Sequence, residues 1–216
     1  MKCVVTAGPS YEPLDEVRRL TNFSTGKLGS ELANFLVAQG HEAILLLGYY
    51  SSYRGAQKAR QVVEFTTTED LRTHLQALAD KNVGAVFHAA AVCDFTFGTI
   101  WKRNERGELI PLGERKVLTQ NGNLLAELKP TPKVIAGLRG WFPKARIVGW
   151  KYELDGDRAR VIQLARDQMA QNRTDACVVN GAAFGRGFGL VAPEGTCLDL
   201  ADATALYPTL AKFIGA

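Results

Sequence analysis

The sequence predicts an α/β protein: a Rossmann-like, doubly wound, mostly parallel sheet with helices on both faces. Short apolar runs alternate with helix-period runs almost from end to end of the 216 residues. The connections between them are short, as parallel strands joined by helical crossovers require. The glycine-rich and small-residue stretches follow strands, where sheets of this kind bind ligands. A chain of 216 residues is long enough for one substantial core and too short for two ordinary domains, so a single domain over 1–216 is expected.

Residues 2–7 (KCVVTA) read as a short buried strand followed by a polar loop. In 27–39, Leu28, Leu32, Phe35 and Leu36 share one helical face, and Gly40 is a natural stop. Residues 42–48 (EAILLLG) form a second strand; 49–60 is a polar insertion, and a short strand lies at 62–65. Thr68 is expected to cap a helix running to Asp80, with Glu69 and Asp70 suiting the dipole of its first turn. GAVFHAAA (84–91) is a fourth strand, RIVGWK (146–151) a fifth and DACVVN (175–180) a sixth. Helices are expected over 158–172 and 203–214. The 92–131 region is long for a connection, and its pieces 108–112 and 123–129 flank Lys116 like paired strands of an excursion. Long excursions in compact domains are usually functional.

Composition narrows the function. Apolar content of 46% and charged content of 22% fit a globular protein, and the net charge of +4 is scattered rather than gathered into a nucleic-acid stripe. Four cysteines lie far apart and three histidines lack metal-ligand spacing, so reduced structural thiols and no protein-held metal site are expected. With no apolar stretch of membrane-spanning length and no leader, a cytoplasmic protein is expected, without nucleic-acid or membrane partners.

A dinucleotide reductase is the first alternative for such a fold. The first turn is Ala7-Gly8-Pro9-Ser10 rather than G-x-G-x-x-G, and Gly48-Tyr49-Tyr50 stands where an acidic residue would hold a ribose. Tyr53 is followed four residues later by Gln57, so the reductase Tyr-x-x-x-Lys pair is absent there. STGKLG (24–29) lacks the upstream glycine of a P-loop and has Leu28 at the magnesium-binding position. What remains is a loop, 22–29, that opens a helix with two hydroxyls and free N–H groups, suited to anions; the bland alternative is that Ser24 or Thr25 only caps the helix.

These residues carry a wider match. VTAGPSYEPLDEVRRLTNFSTGKLG (5–29) closely resembles the opening signature of the phosphopantothenoylcysteine synthetase (phosphopantothenate–cysteine ligase) family. HAAAVCDF (88–95), Lys116-Val117 with 123–135, IVGWKYELD (147–155) and DACVVN (175–180) are similar to its later blocks. The stretches 63–71 and 150–154 look more like free-standing eukaryotic-type members than fused bacterial ones, which implies a stand-alone form with no flavin.

The resemblance implies that 4′-phosphopantothenate is activated by a nucleoside triphosphate, CTP or ATP with Mg2+, and coupled to cysteine's amine. It implies that Asn22 donates to the acyl carbonyl and that Lys116 closes over the site to stabilise developing charge. Gly8, Ser10, Ser24, Thr25 and Gly26 would hold phosphates; Ala89, Ala90, Ala91, Asp94, Lys151 and Asn180 would meet the nucleotide, and Phe184 or Phe188 would stack on its base. Two lysines of CTP-using members are Gln168 and Asn172 here, with Lys151 as a compensating charge, which leans towards ATP or relaxed choice. A homodimer with the excursion reaching the partner is also implied. A paralogous ligase or a catalytically silent nucleotide-binding relative stays open beside the ligase.

Overall fold

The computed structural model describes residues 1–79, 81–113, 116–118 and 122–215. β1 (Lys2–Ala7) leads into a hairpin, β2 (Tyr11–Pro13) and β3 (Arg19–Thr21), then α1 (Lys27–Ala38) and β4 (Glu42–Gly48). β5 (Gln61–Phe65), α2 (Thr68–Gln76) and β6 (Ala85–His88) follow. An excursion of β7 (Phe95–Arg103), β8 (Leu109–Leu112) and β9 (Leu124–Pro130) precedes α3 (Val134–Trp141), β10 (Arg146–Tyr152), α4 (Arg158–Asn172) and β11 (Ala176–Asn180). The chain continues through β12 (Phe188–Val191), β13 (Cys197–Leu200) and α5 (Ala203–Gly215).

The main sheet has the order β13-β12-β11-β10-β6-β1-β4-β5. β5, β4, β1, β6, β10 and β11 are parallel, while β12 and β13 add an antiparallel edge. The central strands are continuous apolar runs because they are covered on both sides. Alternate side chains of β1 separate the two layers. Cys3, Val5 and Ala7 pack with Leu32 and Leu36 of α1 and Leu206 and Leu210 of α5. Val4 packs with Ile44, with Leu71 and Leu75 of α2 and with Leu138 of α3 on the other face. α4 joins that second face through Val161, Ala165 and Met169, against Cys177 and Val179. The expected doubly wound fold is therefore present.

Several boundaries differ from the sequence reading. The cap of α2 is Thr67, whose hydroxyl accepts from Asp70 N at 3.2 Å, not Thr68, which is buried, and the helix ends at Gln76. The expected terminus at Asp80 lies outside the described residues. The fourth strand stops at His88, so Ala89–Ala91 lies beyond the sheet. Residues 108–112 and 123–129 do form strands, but each pairs with β7 rather than with the other, in the order β8-β7-β9. The sheet also continues past the sixth parallel strand into β12 and β13.

All four cysteines are free, and Cys3, Cys93 and Cys177 are buried. Burial pushes the Cys177 thiol up to about 12 and Cys3 to about 11, so neither is poised as a thiolate. Among the described residues, no helix is long and apolar enough to cross a membrane.

Candidate active site at the sheet's switch point

From β1 the chain winds towards β4, and from β6 towards β10, so a crevice opens between the carboxyl ends of these two neighbours. The segments leaving them are stitched together. Ala91 N donates to Gly8 O at 2.9 Å, Ser10 N to Ala91 O at 3.1 Å, and Pro9 forms a parallel bridge with Ala91. Asn22 lies just after β3, and its Nδ2 donates to the same Ala91 carbonyl at 3.1 Å. The structure thus brings Asn22 onto the rim formed by Ala89, Ala90 and Ala91, all half-buried.

Ser10 stands behind that rim. It is fully buried, and its hydroxyl accepts from Cys93 N at 2.8 Å while its carbonyl accepts from Thr21 Oγ1 at 2.8 Å. A buried hydroxyl committed in this way orders the loop instead of presenting itself to a phosphate. Cys93 ties four segments. Its N–H meets Ser10, its thiol lies 3.4 Å from Ser10 O and 3.8 Å from Leu20 O, and its carbonyl accepts from Thr131 Oγ1.

Beneath the alanines, Thr6 Oγ1 accepts from Ala90 N at 3.1 Å and shares a hydrogen bond with His88 Nδ1, 3.0 Å away. Burial lowers the His88 pKa from 6.5 to about 4, keeping the ring neutral. Because the folded value lies below the unfolded one, this contribution to stability is complete above pH 6.5 and is lost as pH falls towards 4. The loss amounts to about 3 kcal/mol over that window. Urea denaturation at a series of pH values should show this slope in the native protein and a flatter one in His88→Gln; equal slopes would contradict it.

The loop before α1 supplies the anion-facing part. Gly26 is the N-cap, at φ 75°, and the helix has no side-chain cap. Ser24 and Thr25 are therefore not caps, although Thr25 Oγ1 accepts from Lys27 N at 3.2 Å. An uncapped first turn leaves N–H groups to a ligand. Gly8 is also left-handed, at φ 79°, and side chains at Gly8 and Gly26 would both run into Ser51 Oγ, a buried hydroxyl without a hydrogen-bond partner among the described residues.

Further along the rim, Asn180 Oδ1 and the indole nitrogen of Trp150 are likewise buried and unpartnered among the described residues. Trp150 and Asn180 lie at the carboxyl ends of adjacent strands, where Tyr152 pairs with Asn180 and Trp150 with Val178. Lys151 is ion-paired with Glu153 at 3.3 Å. The Asp94 carboxylate is exposed and ion-paired with Lys133, which precedes α3. Sequence reasoning missed Trp150, Ser51 and Lys133. For Lys133 one local signal existed: a lysine at a helix N-cap opposes the dipole and suggests a use elsewhere.

Lys116 is exposed, and its neighbour Val117 is 3% exposed and bound by the turn at Asp15 and Arg18. Phe184 departs from the expectation. It is 4% exposed within the α4 cluster, and the Arg158 guanidinium covers its ring at 4.1 Å, so no face is open to a base. Phe188 packs against the core on the α1 and α5 side. Gln168 turns inward, with Nε2 3.4 Å from Cys177 Sγ, and Asn172 bonds back to Gln168 O at 2.8 Å. No three His, Cys, Asp or Glu side chains converge as a metal site among the described residues.

Residues 1–213 match the family described as DNA/pantothenate metabolism flavoprotein, C-terminal domain. The chain is 31% identical over 190 residues to the coenzyme A biosynthesis bifunctional protein CoaBC of Bacillus subtilis, covering 86% of this chain and 42% of that protein. A cysteine/cysteine sulfinic acid decarboxylase from an unknown prokaryotic organism is 27% identical over 187 residues, covering 84% of this chain and 47% of that protein. The chain thus spans less than half the length of these curated relatives. The crystal structure of the DNA/pantothenate metabolism flavoprotein from Streptococcus pneumoniae superposes with a TM-score of 0.84 at 23% identity, over 100% of this chain and 98% of that one. A Cab2 mutant in complex with phosphopantothenate-cysteine gives a TM-score of 0.75 at 19% identity, over 99% of this chain and 87% of that one. These two superpositions establish the shared fold.

Proposed function

The chain belongs to the DNA/pantothenate metabolism flavoprotein C-terminal domain family, and we propose that it is a phosphopantothenate–cysteine ligase. In this reading a nucleoside triphosphate, CTP or ATP, activates the carboxylate of 4′-phosphopantothenate and releases pyrophosphate. Cysteine's amine then displaces the nucleoside monophosphate. The observation that carries the proposal is the convergence of Asn22 on the Ala91 carbonyl at the switch point, which joins the loop that opens α1 to the small-residue rim.

Each part of the rim has a task that its chemistry suits. The uncapped turn at Ser24, Thr25 and Gly26, beside Gly8, receives phosphates through backbone N–H groups. The second N–H of Asn22 Nδ2 donates to the acyl oxygen, and Lys116 supplies positive charge where it develops on phosphate and carbonyl. Ala89 to Ala91 let the reacting centre approach the backbone closely. Lys151, Asn180 and the Trp150 indole hold the nucleotide, the last two with groups that have no other partner among the described residues. Magnesium would ride on the triphosphate and neutralise it; Asp94, the rim carboxylate, is already balanced by Lys133.

The exposed apolar side chains of the excursion, Phe95, Ile110, Leu124 and Leu128, support a homodimer, to be read from the sedimentation mass. Free buried thiols suit a reducing compartment such as the cytoplasm. The test of the function is pyrophosphate release from CTP or ATP in the presence of the protein, 4′-phosphopantothenate, cysteine and magnesium. Release that requires the acid is expected; none with either nucleotide, from folded protein, would reject the ligase in favour of a silent or paralogous relative.

A further inference from the structure

We infer that Asp15 is a positioning residue that clamps residues 116–118, the short strap carrying Lys116, to the hairpin leading into Asn22. The backbone of the turn between β2 and β3 engages one oxygen of the Asp15 carboxylate: Oδ1 accepts from Val17 N at 2.9 Å and Arg18 N at 2.8 Å. The other, Oδ2, reaches across 102 residues to Val117 N at 3.1 Å and also receives Arg18 Nη2 at 2.6 Å. Arg18 Nη2 donates in turn to the Val117 carbonyl. Both backbone groups of Val117 are thereby taken, and its side chain is 3% exposed.

The clamp fixes the backbone beside Lys116 and leaves the lysine side chain exposed. On its other side, the hairpin is fixed to the switch point through Thr21 Oγ1 on Ser10 O and the Cys93 thiol near Leu20 O. A continuous path therefore runs from Val117 through Asp15 and β3 to Asn22. An ion pair with a half-exposed arginine contributes little stability by itself, so its value is positional. The Asp15 side chain is only 2% exposed, and burial raises its pKa. The hydrogen bonds from Val17, Val117 and Arg18 outweigh that effect and hold it at about 2, so the clamp stays ionised at working pH.

The inference rests on the proposed role of Lys116, and its test separates the two. Asp15→Asn retains the Oδ1 acceptor for Val17 and Arg18, but puts an NH2 group against the Val117 N–H and the guanidinium. Hydrogen exchange in the full chain should then quicken at Val117 by roughly tenfold or more, with Val17 and Arg18 unchanged. Turnover should fall about tenfold to a hundredfold with KM for the nucleotide unchanged. In a Lys116→Gln background, Asp15→Asn should cost nothing further, because it acts only through that lysine. Native protection at Val117, or losses that multiply in the double variant, would overturn the clamp. If Lys116→Gln alone leaves turnover intact, the proposed role of Lys116 fails, while exchange at Val117 still decides whether Asp15 holds the strap.

Discussion

Asn22→Asp should lose turnover by a factor on the order of 10²–10³, the scale for removing one preorganised donor from an oxyanion site, while the protein stays folded. The amide nitrogen of Asn22 carries two hydrogens. One is held by the Ala91 carbonyl at 3.1 Å, which aims the other at the rim. A carboxylate of the same shape sets oxygen against oxygen there, so it must rotate away from Ala91. It also brings negative charge to the place where a substrate carboxylate and phosphates must meet, and like charges in a desolvated site repel strongly. Because Asn22 is exposed, the cost in stability is small. Single-turnover pyrophosphate release beside a thermal melt checks both halves. Lys116→Gln should show a loss of similar size through removal of charge rather than misdirection of a donor. An Asn22→Asp variant that turns over normally would remove Asn22 from the chemistry.

The sequence was most readable where the fold imposes continuous burial. β1, β4, β6, β10 and β11 are apolar runs because helices cover both faces, so the strands, their parallel sheet and a ligand crevice at their carboxyl ends could be anticipated, though not their order in the sheet. Two of the segments that carry expected site residues, 5–29 and 88–95, are hydrogen-bonded to each other at that crevice. Elsewhere local pattern was not enough. In β7 the alternation breaks between Phe97 and Ile100, where a bulge shifts the register against β9. β12 and β13 are only four residues each, too short for a period to declare itself. Three successive threonines, 66–68, can all cap a helix, and only the bond from Asp70 N selects Thr67. Whether Phe184 faces a ligand or the core depends on α4 and on Arg158, which are distant in sequence. The pairs Asp94–Lys133 and Asp15–Val117 are joined by folding across 39 and 102 residues, and no local window contains them.

Gly48→Ala should produce the largest structural effect, because the residue it crowds is part of the rim. Gly48 ends β4, buried against the loop that leaves β1. A Cβ there would overlap the Pro9 carbonyl oxygen and lie 2.9 Å from Pro9 N and 3.0 Å from its carbonyl carbon. All three are backbone atoms, so no side chain can rotate aside. Pro9 is bridged to Ala91, and Ala91 holds Gly8, Ser10 and Asn22, so displacing one strand end moves the whole rim. Overpacking of this kind costs about 1–3 kcal/mol, and each kcal/mol lowers the melting temperature of a domain this size by roughly 2–4 °C. Turnover should fall along with stability, since Asn22 loses its support. Gly140→Ala is the matched control. It lies in the last turn of α3, where no atom of the described residues outside the adjoining backbone comes within 4 Å of the new methyl, and alanine favours a helix over glycine by up to about 1 kcal/mol. The first variant should melt lower and turn over slowly, the second higher and at the native rate. If both melt alike, the close approach of β4 to Pro9 does not constrain the rim, and the support assigned to Asn22 through Ala91 must come from β3 alone.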